Sequence, residues 1–235
     1  MSGRRIEIAA KDGSGKFSGY LASPGGGRGP GIVVLQEIFG VNRVMREITD
    51  ALADEGYVAL CPDLFWRQQP GIELDDRSEE DWERAFELYK GFDVDLGIKD
   101  IAASLAALRA LDGVSGRIGA VGYCLGGLLA YLTACRTNVD AAVGYYGVGI
   151  DGHLGEAASI SGHLLLHIAE EDGFVDKAAQ ARLHAALDPH PRVTIHDYPG
   201  VDHAFARPGG AHYDADAARL ANRRSAEFLA RHLKR

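Results

Sequence analysis

No run in this 235-residue chain is both apolar enough and long enough to span a bilayer, and no cluster of lysine and arginine forms a basic face. The first absence excludes a helical membrane anchor. The second, with a formal net charge of −8, argues against a nucleic-acid partner. Cysteine is scarce: there are three, an odd number without a Cys-x-x-Cys spacing, which suits a reducing compartment and no disulfide framework. Met1-Ser2-Gly3-Arg4-Arg5 opens into polar alternation instead of the apolar core of a signal peptide, so the expectation is a cytoplasmic protein. Internal repeats and low-complexity tracts are also missing, and Pro24-Gly25-Gly26-Gly27 reads as a loop. Nothing sets an oligomeric state, and a monomer is the default expectation.

What is present is a large apolar fraction, 46%, enough for a substantial core and most simply a single domain over residues 1–235. Arg4 to Ala10 and Phe17 to Ser23 alternate as a strand pair around Lys11-Asp12-Gly13-Ser14-Gly15, an antiparallel edge. From Gly31 the pattern changes to apolar strands followed by amphipathic helices: Ile32 to Gln36, Arg43 to Glu55, and Tyr57 to Cys61 before Pro62-Asp63. Helical periodicity continues over Glu79 to Phe92 and Asp95 to Leu111, then about Asp176 to Leu187 and Ala215 to Leu233. Further strands are expected at Arg117 to Val121, Ala141 to Tyr146, His163 to Ala169 and Arg192 to Tyr198. The fold class is therefore α/β: a doubly wound, mostly parallel sheet with an antiparallel N-terminal edge, whose ligands bind at the carboxyl ends of the strands.

Gly122-Tyr123-Cys124-Leu125-Gly126 carries the Gly-x-nucleophile-x-Gly spacing of a nucleophile elbow, with cysteine as the central residue. In a chain with 30 glycines that spacing is weak by itself. Its flanks strengthen it, because a short apolar strand precedes and Leu128 to Leu132 continues as a helix. A nucleophile on so sharp a turn sits in a strained backbone, and side chains two residues to either side would strike the adjoining strand and helix. Cys61 and Cys135 read as buried packing residues.

A cysteine nucleophile needs a base, and among nine histidines His203 lies where this topology places one, after the strand ending at Tyr198 and the breaker Pro199-Gly200. His163 and His167 illustrate the plain structural case: four apart on a strand, they are about 13 Å apart, too far to share a metal. An acid to orient the base belongs after the strand ending at Ala169. Asp172 is the choice, because Asp172-Gly173 marks the turn. Glu170, Glu171 and Asp176 compete, and the cluster also reads as a solvated turn with a helix-capping acid. Two backbone amides, those of Leu125 and Ile38, are expected to form the oxyanion hole.

Gln36-Glu37-Ile38-Phe39-Gly40-Val41-Asn42, Cys61-Pro62-Asp63-Leu64, Gly122 to Gly127, Gly144-Tyr145-Tyr146-Gly147 and His203-Ala204-Phe205-Ala206-Arg207 together resemble, in order and spacing, the blocks of the dienelactone hydrolase family, over nearly the whole chain. The resemblance implies an α/β-hydrolase fold, triad roles for Cys124, Asp172 and His203, and for Glu37 the part of a glutamate that partners the resting thiol and accepts its proton when substrate binds. It implies no metal and no organic cofactor, and a small lactone or ester as the partner molecule. Arg207 matches one arginine of the family's carboxylate clamp. Trp82 and Phe86 stand where the other arginine and a tyrosine are expected, and Arg84 points about 200° away from Trp82 on a helix. As an i, i+4 pair the two aromatics also read as an apolar packing stripe.

The implied reaction is opening of an enol lactone to a keto acid through a thioester acyl-enzyme. One alternative is an esterase of the same family acting on neutral activated esters or lactones. Others, of a different class, are a slow-turnover ligand sensor and a thiol redox switch. For the switch a resolving cysteine near Cys124 is missing from the sequence.

Overall fold

The computed structural model describes residues 3–234. The chain forms two compact units, Met1–Gly119 and Ala120–Arg235, and the division falls within one continuous strand.

In the first unit β1 (Arg4–Ala9) and β2 (Lys16–Ala22) form the expected antiparallel pair, in register from Arg4 opposite Leu21 to Ala9 opposite Lys16. The connecting turn uses the left-handed freedom of Gly13, at φ 76°. β3 (Gly29–Leu35) and β4 (Val58–Pro62) run parallel, and β4 also pairs antiparallel with β2, giving the order β1-β2-β4-β3. β4 and nearly all of β3 are buried, as strands covered on both faces must be.

Each helix of this unit starts where a side chain can cap it. Asn42 accepts from the Met45 amide ahead of α1 (Arg43–Asp54), Ser78 from Asp81 ahead of α2 (Glu79–Lys90), and Asp93 from Leu96 ahead of α3 (Val94–Arg109). An ionic knot around one buried carboxylate ties the unit together. Asp100 of α3, 1% exposed, accepts from the Trp66 indole at 2.8 Å and from Arg67 at 2.8 and 2.7 Å, and Arg67 also reaches Asp12 in the β1–β2 turn at 2.9 Å.

β5 (Val114–Tyr123) leads into the second unit, where α4 (Leu125–Arg136), β6 (Ala141–Tyr145), a 3-10 helix (Ile150–Ser159), β7 (His163–Ala169), α5 (Lys177–Leu187), β8 (Val193–Tyr198) and α6 (Ala215–Leu233) follow. The strand order is β5-β6-β7-β8, with β6, β7 and β8 parallel and in register at Tyr145 opposite His167 and Ala169 opposite Tyr198. α4 is buried from Leu125 to Cys135, an apolar helix without a solvent face for most of its length.

On β7 His167 is held neutral between two hydroxyls, Tyr198 Oη and Ser225 Oγ, each at 2.8 Å. Burial, with the nearby charges of His196 and Arg224, keeps it well below the usual histidine range. Among the described residues no helix is long and apolar enough to cross a membrane.

Candidate active site

Cys124 occupies the corner between β5 and α4 at φ 55°, ψ −115°, a region that side-chain-bearing residues rarely enter. Its amide donates to the Tyr145 carbonyl at 3.1 Å and its carbonyl accepts from Gly127 at 2.9 Å, so strand and helix both grip the turn. The flanking glycines are required by space. A Cβ on Gly122 would stand 1.9 Å from the Gly126 carbonyl oxygen, and one on Gly127 2.6 Å from that of Tyr145. Leu125 is the first residue of α4, so its N–H is among those that a helix leaves without an internal acceptor.

The structure brings His203 and Asp172 to this corner. Both are buried, and the His203 Nδ1 lies 2.9 Å from Asp172 Oδ2. The other Asp172 oxygen accepts from the Phe174 amide at 2.8 Å, which fixes the carboxylate plane. The His203 ring also hydrogen-bonds the Cys124 side chain; with Nδ1 committed to the acid, that bond falls to Nε2. Tyr146 and Phe174 make T-shaped contacts with the imidazole, with centroids 5.1 and 4.9 Å away.

Burial works against a charged imidazole here. It is outweighed by the charge of the Cys124 sulfur and by the hydrogen bonds to Asp172 and Cys124, which together push His203 up to about 10. A negative charge on the Cys124 sulfur thus favours the protonated ring.

Of the competing acids, the carboxylates of Asp176 and Glu171 are engaged elsewhere, while at Glu170 the contact is made by the backbone carbonyl. Asp176 caps α5 by accepting from the Ala179 amide at 2.7 Å, Glu171 pairs with exposed Lys177 at 3.1 Å, and the Glu170 carbonyl accepts from Lys177. Arg207, four residues past His203, is 6% exposed, a depth at which a guanidinium is retained for a specific anionic or polar partner.

Glu37 and Ile38 belong to the first unit, just past the end of β3, and are 3% and 5% exposed. Gln36 braces their loop by accepting from the Leu64 amide at 2.9 Å. Trp82 and Phe86 lie on α2, both half-buried. Trp82 meets Phe39 edge to face at 4.8 Å and Phe86 at 5.5 Å, and its indole donates to the Asp76 carbonyl at 2.7 Å. Arg84 is tied to Glu87 and Gln69 at 2.8 and 2.7 Å, away from those rings.

Three features around the histidine escape sequence reasoning. Asp202 binds the backbone on both sides of the acid–base pair. Tyr146 packs on the imidazole from a positive φ of 39°, and Phe174 stands 53% exposed beside it. The Gly144 to Gly147 block was the only signal for Tyr146.

Comparison with known proteins places the chain in a family. The sequence profile of the dienelactone hydrolase family matches residues 17–233. A relative from Azospirillum brasilense, whose name assigns it provisionally as a carboxymethylenebutenolidase, is 51% identical over 97% of this chain and 98% of its own. The carboxymethylenebutenolidase of Pseudomonas putida is 41% identical over 96% and 95%. A solved dienelactone hydrolase-like promiscuous phosphotriesterase, P91 from metagenomic libraries, superposes with a TM-score of 0.82 over 99% of this chain and all of its own at 22% identity, a likeness of fold alone. The sheet with its flanking helices is thus an α/β-hydrolase fold, and by the extent of the profile match and the identity to these relatives the chain belongs to the dienelactone hydrolase family of hydrolases.

Proposed function

We propose that this protein opens enol lactones such as dienelactone to keto acids through a thioester on Cys124. The observation that carries the proposal is the His203 ring, hydrogen-bonded to Asp172 on one side and to Cys124 on the strained corner on the other. The name carboxymethylenebutenolidase borne by relatives at 37–41% identity supports the same substrate class.

The choice of sulfur explains the choice of lactone. A thiolate attacks a carbonyl readily but is also a good leaving group, so a tetrahedral intermediate carrying an ordinary alkoxide expels sulfur and returns to substrate. When the departing oxygen leaves as an enolate, ring opening competes with loss of a thiolate whose acid has an unperturbed pKa of about 8.5. Cys124 Sγ adds to the lactone carbonyl, and the oxyanion is received by the amides of Leu125 and Ile38. The ring C–O bond then breaks, leaving a thioester and an enolate. Loss of each such donor costs about a hundredfold to a thousandfold in rate.

Acylation removes the sulfur charge that holds His203 protonated. Burial, the largest influence on the ring, then favours neutral imidazole, which can take a proton from the water that hydrolyses the thioester. Asp172 keeps the ring in the tautomer this requires. In the resting enzyme Glu37 partners the thiol and takes its proton when substrate arrives, and Arg207 receives a substrate carboxylate.

A neutral ester or lactone is the second reading, favoured by the aromatic group Phe39, Trp82 and Phe86 and by the engagement of Arg84 with Glu87 and Gln69. The two are separated by steady-state hydrolysis of cis- and trans-dienelactone beside a neutral enol ester, with wild type and Cys124→Ala. Rapid, Cys124-dependent dienelactone turnover supports the first. Turnover of the neutral ester alone assigns the protein to the second, and turnover that survives in Cys124→Ala overturns both.

A further inference from the structure

We propose that Asp202 is a positioning residue that holds the Asp172 and His203 loops in register, so that the acid and base meet at hydrogen-bonding distance. The inference rests on the reading of Cys124, Asp172 and His203 as the reacting group.

β7 and β8 are paired as far as Ala169 and Tyr198. The lacing continues past the strands. The Glu170 amide donates to the Tyr198 carbonyl at 3.1 Å, and the Glu171 amide donates to the Val201 carbonyl at 3.0 Å. The following rung lies beyond the turn of the second loop at Pro199 and Gly200, the latter at φ 70°. A side chain supplies it. Asp202 Oδ1 accepts from the Gly173 amide at 2.9 Å and from the His203 amide at 2.6 Å. The rung after that is the catalytic contact, His203 Nδ1 to Asp172 Oδ2 at 2.9 Å.

One carboxylate oxygen therefore touches the residue after the acid and the backbone of the base. An ordinary aspartate turn would bond only to its own near neighbours, whereas Gly173 is 29 residues away. The position also requires restraint. Ala204, next after His203, is held at φ 62°, where a residue with a Cβ is strained and stays only if its surroundings determine it. The second oxygen of Asp202 faces outward to His212 Nδ1 at 3.3 Å, and that histidine in turn lies 3.3 Å from the His203 carbonyl. Charge-assisted bonds from a carboxylate to amides are short and directional, which suits a brace better than a neutral side chain would.

The test compares Asp202→Ala, which removes the acceptor, with Asp202→Asn, which keeps an Oδ1 in place. Two readouts are taken: kcat and KM on dienelactone, and the pH profile of Cys124 alkylation by iodoacetamide, which reports the Cys124–His203 pair without any substrate. A displaced base costs about tenfold to a hundredfold. Asp202→Ala is expected to lose that much in kcat with KM little changed, and to shift the alkylation profile, while Asp202→Asn recovers most of both.

If the wild type proves inactive on lactones but Asp202→Ala still moves the alkylation profile, the substrate assignment fails and the brace stands. An Asp202→Ala protein that keeps wild-type kcat and alkylation profile, whatever its melting temperature, overturns the proposal. An Asp202→Asn protein as impaired as Asp202→Ala overturns the role given to Oδ1.

Discussion

His203 Nδ1 stands 2.9 Å from Asp172 Oδ2, with both side chains buried, so the imidazole has one nitrogen fixed and only the other free to serve Cys124. The charge on that sulfur, acting against burial, is a principal reason His203 is raised to about 10. Replacing Cys124 by serine removes the sulfur that can carry this charge and should lower the His203 titration from about 10, as seen by NMR of its ring carbons. A titration unchanged in Cys124→Ser would mean that Asp172 alone sets it, and the proposed release of a neutral base on acylation would fail.

Gly122→Ala places a methyl 1.9 Å from the Gly126 carbonyl oxygen, a clash with backbone that no rotamer relieves. The expected loss is about 3 kcal/mol of stability. Gly152→Ala, in the 3-10 helix with open space around it, should change stability by less than about 0.5 kcal/mol. Urea unfolding of the two variants tests the elbow, and equal effects would contradict this packing.

Removing buried Asp100 takes the acceptor from the Trp66 indole and two hydrogen bonds from part-buried Arg67. Asp100→Ala should lose about 3 kcal/mol of stability, while kcat per folded molecule stays at the wild-type value. A normal melting temperature would show that this knot is dispensable.

Stability should also fall on the acid side because of His167, whose burial holds its folded-state pKa far below the unfolded value. The unfolded chain takes up a proton below about pH 6.5 and the folded chain does not, so this contribution is present above that pH and lost below it. The slope reaches about 1.4 kcal/mol per pH unit for one proton. Comparing urea unfolding of wild type and His167→Gln between pH 7.5 and 5.5 isolates the effect from the other histidines. His167→Gln should show the shallower slope, and equal slopes would remove His167 as the cause.

Local patterning carries most of the fold. β7 and α6 have the bounds read from sequence, His163–Ala169 and Ala215–Leu233, because one is an unbroken apolar run and the other a sustained 3.6-residue stripe. The 3-10 helix at Ile150–Ser159 is not read, since its glycines and three-residue repeat leave no α period. Asp176 caps α5 from outside the helix where the sequence reading counts it as the first residue.

At the site, Cys124, Asp172 and His203 are each announced by a turn or an elbow close by in sequence. Asp202 is not. Its task depends on Gly173 in another loop, and in sequence it reads only as one more acid in an exposed turn. The positive φ of Tyr146 has no residue-type signal at all, because tyrosine does not favour that region.

The most direct test of a Cys124 thioester is rapid-quench mass spectrometry of the enzyme mixed with an enol lactone, using His203→Gln to slow deacylation. Because ring opening expels no fragment, the protein should gain the full mass of one lactone molecule, on the peptide containing Cys124 and removable by hydroxylamine. Wild-type turnover with no such adduct in either protein, or an adduct on a different residue, would contradict it.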